Sequence, residues 1–138
     1  MSLRLPTGSV TVLLGPSVHR RRTMNRLDDT TGRDPVGRRA AVLRIRAREA
    51  DPVADRLATV ASVRGGIAAV VLVDRLTDGL GSRDRGRVLA ALRGVAADGT
   101  AVLVDDVDPV AALAVADGAL RVDDRGGIEP EELAYLAS

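Results

Sequence analysis

The sequence predicts an α/β fold, with a mostly parallel sheet flanked by helices and an N-terminal antiparallel hairpin. Three observations carry this. From residue 40 onward, strand-like and helix-like stretches alternate. Ile67–Val73 is a continuous apolar run, the pattern of a central strand buried on both faces. Apolar residues are 46% of the 138, mostly Ala, Val and Leu, with no Phe and no Trp. A core of small and branched aliphatics suits a parallel sheet under Ala-rich helices.

The elements follow in order. Leu3–Leu5, the Pro6-Thr7-Gly8-Ser9 turn and Val10–Leu14 read as strand, turn, strand. Gly15-Pro16 ends the second strand. Residues 17–28 are polar and basic, with a short helix around Thr23–Leu27. Residues 29–39 have the composition of a mobile loop. The alternation in Ala40–Arg46 gives a strand near an edge. Asp51 caps a helix with Pro52 at its first position, running to about Arg64 before Gly65-Gly66. After Ile67–Val73, Ser82 caps a helix from Arg83 to about Ala97. Its stripe is Val88, Leu89, Leu92 and Val95/Ala96. Ala101–Val104 is a strand, and Asp108-Pro109 starts a helix to about Ala116. Ala119–Val122 is a strand, and Pro130–Leu136 a terminal helix. Residues 1–138 form one domain on this reading.

Composition excludes several functions. All 20 basic residues are arginine, there is no Cys, and His19 and Tyr135 are the sole residues of their kinds. Lysine Schiff-base chemistry, thiolate nucleophiles and disulfides are therefore absent. An all-protein zinc site lacks its ligands. Without aromatic stacking groups, nucleic acid is an unfavoured partner. No apolar run is long enough to insert in a membrane and no signal-peptide pattern opens the chain, so the expected location is the cytoplasm. Charge is uneven: residues 1–64 hold 13 Arg against 6 acids, and residues 65–138 hold 7 against 13. The two halves can neutralise each other within the fold, between copies, or against an acidic partner.

In open α/β sheets ligands sit at the carboxyl ends of the strands. The segment after Val10–Leu14 reads Gly15-Pro16-Ser17-Val18-His19-Arg20-Arg21-Arg22-Thr23. With its strand, GSVTVLLGPSVHRRRT resembles the Walker A region of ABC-type ATPases, a P-loop NTPase family. AAVVLVDRLTDGLGSRDRGRVLAALRGVAADGTAVLVDDVDP is similar to that family's Walker B strand, D-loop, following helix and switch strand. VADGALRVDDRGGI is similar to its short strand and Gly-containing hairpin. The resemblance covers about residues 2–27 and 66–128. It implies a P-loop-NTPase-like fold.

The motif positions depart from the family. Val18, His19 and Arg20 replace the small residues whose backbone wraps phosphates. Arg21 stands at the lysine position and Arg22 at the magnesium-ligand position, while Thr23 matches. Asp74 keeps the Walker B acid, but Arg75 replaces the catalytic glutamate. Gly81 follows Asp78-Gly79-Leu80 where the D-loop has Asp, and Val107 holds the switch-histidine position. About 50 residues separate the Walker segments, too few for the helical subdomain, and no signature motif occurs.

The resemblance thus implies a catalytically inactive ABC-ATPase-like protein, without a cofactor. It would bind another copy, an ATPase or another assembly component, with Arg20 and Asp78 as partner-contact candidates. The alternative is a nucleotide- or anion-binding regulator using Gly15, Arg20, Arg21, Arg22 and Thr23. The basic cluster, joined by His19 and Arg26, reads as an anion site or as a solvated loop. Asp74 is a candidate magnesium ligand, or pairs with Arg75 or an arginine of the Walker A-like loop, or caps a turn. Asp105, Asp106 and Asp108 offer a divalent-metal site with Asp74, or neutralise Arg20–Arg22 in the same cleft. His19 reads as exposed and Tyr135 as a packed ring. A phosphatase at the acids lacks a nucleophile or base.

Overall fold

The computed structural model describes residues 5–29, 42–66 and 68–131. Six strands form one sheet: β1 (Val10–Leu14), β2 (Val42–Arg46), β3 (Val70–Asp74), β4 (Ala101–Asp105), β5 (Gly118–Val122) and β6 (Ile128–Glu131). Their order is β2-β3-β4-β1-β5-β6. The first five run parallel, and β6 pairs antiparallel with β5. Four helices flank the sheet: α1 (Ser17–Asp29), α2 (Val53–Ser62), α3 (Ser82–Ala97) and α4 (Pro109–Leu113). No helix among the described residues is long and apolar enough to cross a membrane.

Strand alternation divides the apolar residues between two faces. Val12, Val71, Val73, Val102 and Val104 point to one, where Val60 of α2, Val88, Leu89 and Leu92 of α3 and Ala112 of α4 cover them. Leu13, Leu72 and Leu103 point to the other, where Met24 of α1 meets them. The stripe read from residues 88–96 is the buried face of α3.

The hairpin expected at the N-terminus is not formed on β1. Its neighbours are β4 and β5, both parallel, so neither edge is free for an antiparallel partner. Leu3 of the expected first strand lies outside the described residues, while the observed antiparallel pair is β5–β6. β6 also takes Pro130 and Glu131, which were expected to begin a helix. Pro tolerates an edge strand because it has no N–H to leave unpaired. The rest of that helix, with Tyr135, lies outside the described residues, as do 30–39 of the expected loop.

Helix starts differ in detail. Asp108 caps α4, accepting from the Ala111 N–H at 3.0 Å. Asp51 does not cap α2: Pro52 holds that position, and the Asp51 carboxylate turns back to the Arg48 N–H at 2.8 Å. Gly81, not Ser82, is the residue flanking α3. The largest difference is α1. It begins at Ser17 and runs 13 residues, where only Thr23–Leu27 was expected to be helical. Thr23 and Met24 are buried and Leu27 is half-buried, a helical spacing sparse in apolar residues.

Candidate functional site

The register places Arg46, Asp74 and Asp105 abreast at the carboxyl ends of β2, β3 and β4. Residues paired this way project from the same face, here the one that α1 covers. β1 ends beside them at Gly15, which has φ 111°. A side chain there would run into the Val122 carbonyl, so glycine is required. The chain then enters α1 at once. The N–H groups of His19 and Arg20 both donate to the Pro16 carbonyl, at 3.0 and 3.1 Å.

This early helix start aims Arg20 at the strand ends. Its Nη1 donates to the Gly15 carbonyl at 3.1 Å. Its Nε lies 2.9 Å from Asp105 Oδ1, the N–H angled off the oxygen, so the contact is mainly an ion pair. Burial pushes the Asp105 carboxyl above its ordinary range. The Arg20 charge opposes that rise, and the nearby Asp74 charge adds to it.

Asp74 pairs with neither Arg75 nor an arginine of the 15–23 turn. Oδ2 of Asp74 takes Nε and Nη2 of Arg44 at 3.1 and 2.9 Å, with Arg46 Nη2 at 3.5 Å. Arg44 Nη1 continues to Asn25 Oδ1 at 2.8 Å and Asp28 Oδ2 at 3.3 Å, tying β3 to α1. Arg75 has φ 52°, the one positive φ at a non-glycine among the described residues. Its N–H donates to the Asp105 carbonyl at 2.7 Å, and its guanidinium reaches Asp78 at 3.7 Å.

Asp106 points elsewhere. The Thr77 hydroxyl lies 2.8 and 2.9 Å from its two oxygens, and the Asp108 N–H donates to it at 2.9 Å. Burial is again the largest influence and raises its pKa, against those hydrogen bonds. Asp108 faces Arg85 at 3.6 Å. Each acid thus has its own partner, and the described residues hold no group of three or more His, Asp or Glu placed for a metal ion. Of the alternatives for the acids, neutralisation of the 20–22 cluster holds for Asp105 alone.

Among the other expected site residues, Thr23 donates its hydroxyl to the His19 carbonyl at 3.1 Å, within its own helix. Arg21 and Arg22 are exposed, with no ion pair among the described residues. His19 is half-buried rather than exposed. Sequence reasoning missed Arg44 and Arg46, although the alternation in VLRIR already placed them on one face. It also missed Arg56, which is 1% exposed. Arg56 donates to the carbonyls of Arg48, Glu49 and Asp51 after β2, and of Leu76 and Asp78 after β3. No periodicity separates a buried arginine of this kind from a solvated one.

Two clefts of about 340 Å³ each open here. One lies among Ser17, Val18, Arg20, Asp105 and Asp106. The other lies among Asn25, Arg44, Arg46, Asp74 and Asp78. Arg21 and Arg75 line both.

The fold is P-loop-NTPase-like. It is similar to an ATP-binding subunit of an ABC transporter, at TM-score 0.56 and 11% identity over 86% of this chain and 76% of that one. It is similar to an inward-facing ABC transporter of the metal-chelate type, at TM-score 0.60 and 14% identity over 100% and 77%. A structure of ribosome-bound archaeal Pelota and ABCE1 aligns at TM-score 0.59 and 16% identity, over 96% of this chain and 32% of that one. At these identities the likeness is one of fold. No protein-family model matches the chain, and no curated protein does.

Proposed function

We propose that the chain is a single trimmed ABC-ATPase-like domain that does not hydrolyse ATP and acts as a protein-interaction or regulatory module. The observation carrying this reading is the Arg20 guanidinium, set between the Gly15 carbonyl and the Asp105 carboxylate. A phosphate-binding loop needs free backbone N–H groups around an open turn. Here the turn is already helix, two of its N–H groups are bonded to Pro16, and a side chain occupies the space beside Gly15. Arg75 at the glutamate position supplies no base to orient water. Purified protein is expected to show no ATP turnover above buffer. Robust turnover abolished by Asp74→Ala would overturn the reading.

The partner is another copy, an ATPase or another assembly component. Asp78 and Arg22 are accessible for such a contact, whereas Arg20 is 12% exposed and engaged internally. Light scattering across a concentration series tests self-association first.

A second reading, a nucleotide- or anion-binding regulator using Arg20–Arg22, draws on one observation. Arg21 is exposed, without an ion pair among the described residues, and borders both clefts.

A further inference from the structure

The cleft between α1 and the ends of β2 and β3 has an unusual charge balance. Four guanidiniums, of Arg21, Arg44, Arg46 and Arg75, surround two carboxylates, of Asp74 and Asp78. The carboxylates satisfy only part of this. Arg44 holds Asp74 through two nitrogens. Arg46 reaches the same Asp74 oxygen only at 3.5 Å, with 64% of its side chain exposed. Arg75 approaches Asp78 at 3.7 Å and is 42% exposed. Arg21 is exposed with no ion pair among the described residues. Three arginines lining one small space are thus exposed and only loosely paired among the described residues.

The backbone supplies an independent observation. Arg75 stands in the left-handed region at φ 52°. That conformation is unfavourable for a residue with a Cβ. The strained residue is the one that lines both clefts together with Arg21.

We infer that this cleft binds a compact, multiply charged phosphate anion, such as pyrophosphate or the phosphate group of a small ester. Guanidinium forks match phosphate oxygens in pairs. With Asp28 also paired to Arg44, one positive charge is left over, and the under-paired guanidiniums beside about 340 Å³ match several phosphate oxygens better than a single carboxylate. No aromatic ring lines the cleft to stack a nucleobase. The inference rests on the second reading above, that the chain binds anions, and moves the site away from Arg20 and Arg22 to Arg21, the arginines of β2 and Arg75.

Calorimetry with pyrophosphate, inorganic phosphate and glycerol phosphate at low salt tests it. Pyrophosphate is expected to bind most tightly, and a tighter glycerol phosphate would name an ester as the source. Arg46→Gln and Arg75→Gly are each expected to weaken binding about tenfold, the scale of one charge-assisted hydrogen bond. Arg83→Gln, at the exposed start of α3, keeps wild-type affinity. Glycine relieves the strain at position 75, so Arg75→Gly is expected to melt at the wild-type temperature or above while binding less. A structural role for Arg75 would move both readouts down together and overturn the proposal. If Arg20→Gln and Arg22→Gln abolish binding while Arg46→Gln and Arg75→Gly retain it, anion binding survives and this location falls. If wild-type protein binds no pyrophosphate at millimolar concentration, this proposal falls, and ATP titrated into the same protein decides the second reading separately.

Discussion

The face of the sheet under α2, α3 and α4 joins Val12, Val71, Val73, Val102 and Val104 to Val88, Leu89 and Leu92 in one apolar cluster. The face under α1 has Leu13, Met24, Leu72, Leu103 and Val122, and then turns ionic at the strand ends. Alternation along each strand allows this separation, because neighbouring residues belong to opposite sides. Apolar burial dominates the first face. On the second, Arg20–Asp105 and Arg44–Asp74 tie α1 and β2 to the central strands, and such pairs contribute direction more than net stability. The domain thus keeps cohesion and charge chemistry on different sides of one layer.

The most severe way to break this contrast is Arg56→Ala. That arginine is the one buried charge of α2, and its carbonyl bonds join the segments after β2 and β3. Those segments approach closely, since a side chain at Gly79 (φ 80°) would meet Glu49 at 2.6 Å. Losing the guanidinium strands several buried acceptors and is expected to cost about 4 kcal/mol in urea unfolding. A loss under 1 kcal/mol would mean the apolar face needs no such clamp.

Leu89→Ala and Met24→Ala compare the faces directly. Both residues are fully buried. Leu89 is expected to cost about 3–4 kcal/mol and Met24 about 2 kcal/mol, because the smaller apolar cluster under α1 holds fewer neighbours around a gap. Equal losses would erase the contrast.

The pH dependence of stability sharpens it. Burial raises the pKa of Asp106 in the folded chain, so between its unfolded and folded values the native state holds the extra proton. Stability then falls as pH rises through that window, and protonation below it relieves the cost. Asp106→Asn, followed by urea unfolding from pH 4 to 7, is expected to flatten this decline. A decline as steep as wild type would assign it to another group. The smallest effect is expected from Asp108→Ala, which removes the cap of α4 and about 1 kcal/mol. A midpoint unchanged in urea would show that Pro109 alone suffices to start that short helix.

The legible parts of the fold were those with strong local periodicity. β1 and α3 appear almost where the apolar runs and the stripe placed them. α1 was obscured because its inward positions are Arg20, Thr23, Met24 and Leu27, of which only two are apolar. The site was half legible for a related reason. Residue type and position pointed to Arg20, Asp74 and Asp105, but partner choice is a matter of strand adjacency. Order β2-β3-β4 puts Arg44 beside Asp74, although they are 30 residues apart. The hairpin was misplaced because Leu3–Leu5 and Val10–Leu14 are plausible partners locally, while parallel strands from distant sequence claim both edges of β1.

The Arg20–Asp105 pair has a consequence for mass action. A protein whose buried carboxylate relies on a diffusible cation or a ligand complex gains stability only as that species is supplied. Here the counter-ion is carried on the same chain, three residues after α1 begins, and is always present at high effective concentration. Asp105 therefore has a counter-charge that does not have to be supplied from solution. The stabilising effect of this pair is expected not to depend on added magnesium, which melting of wild type and Arg20→Gln with and without the ion would check.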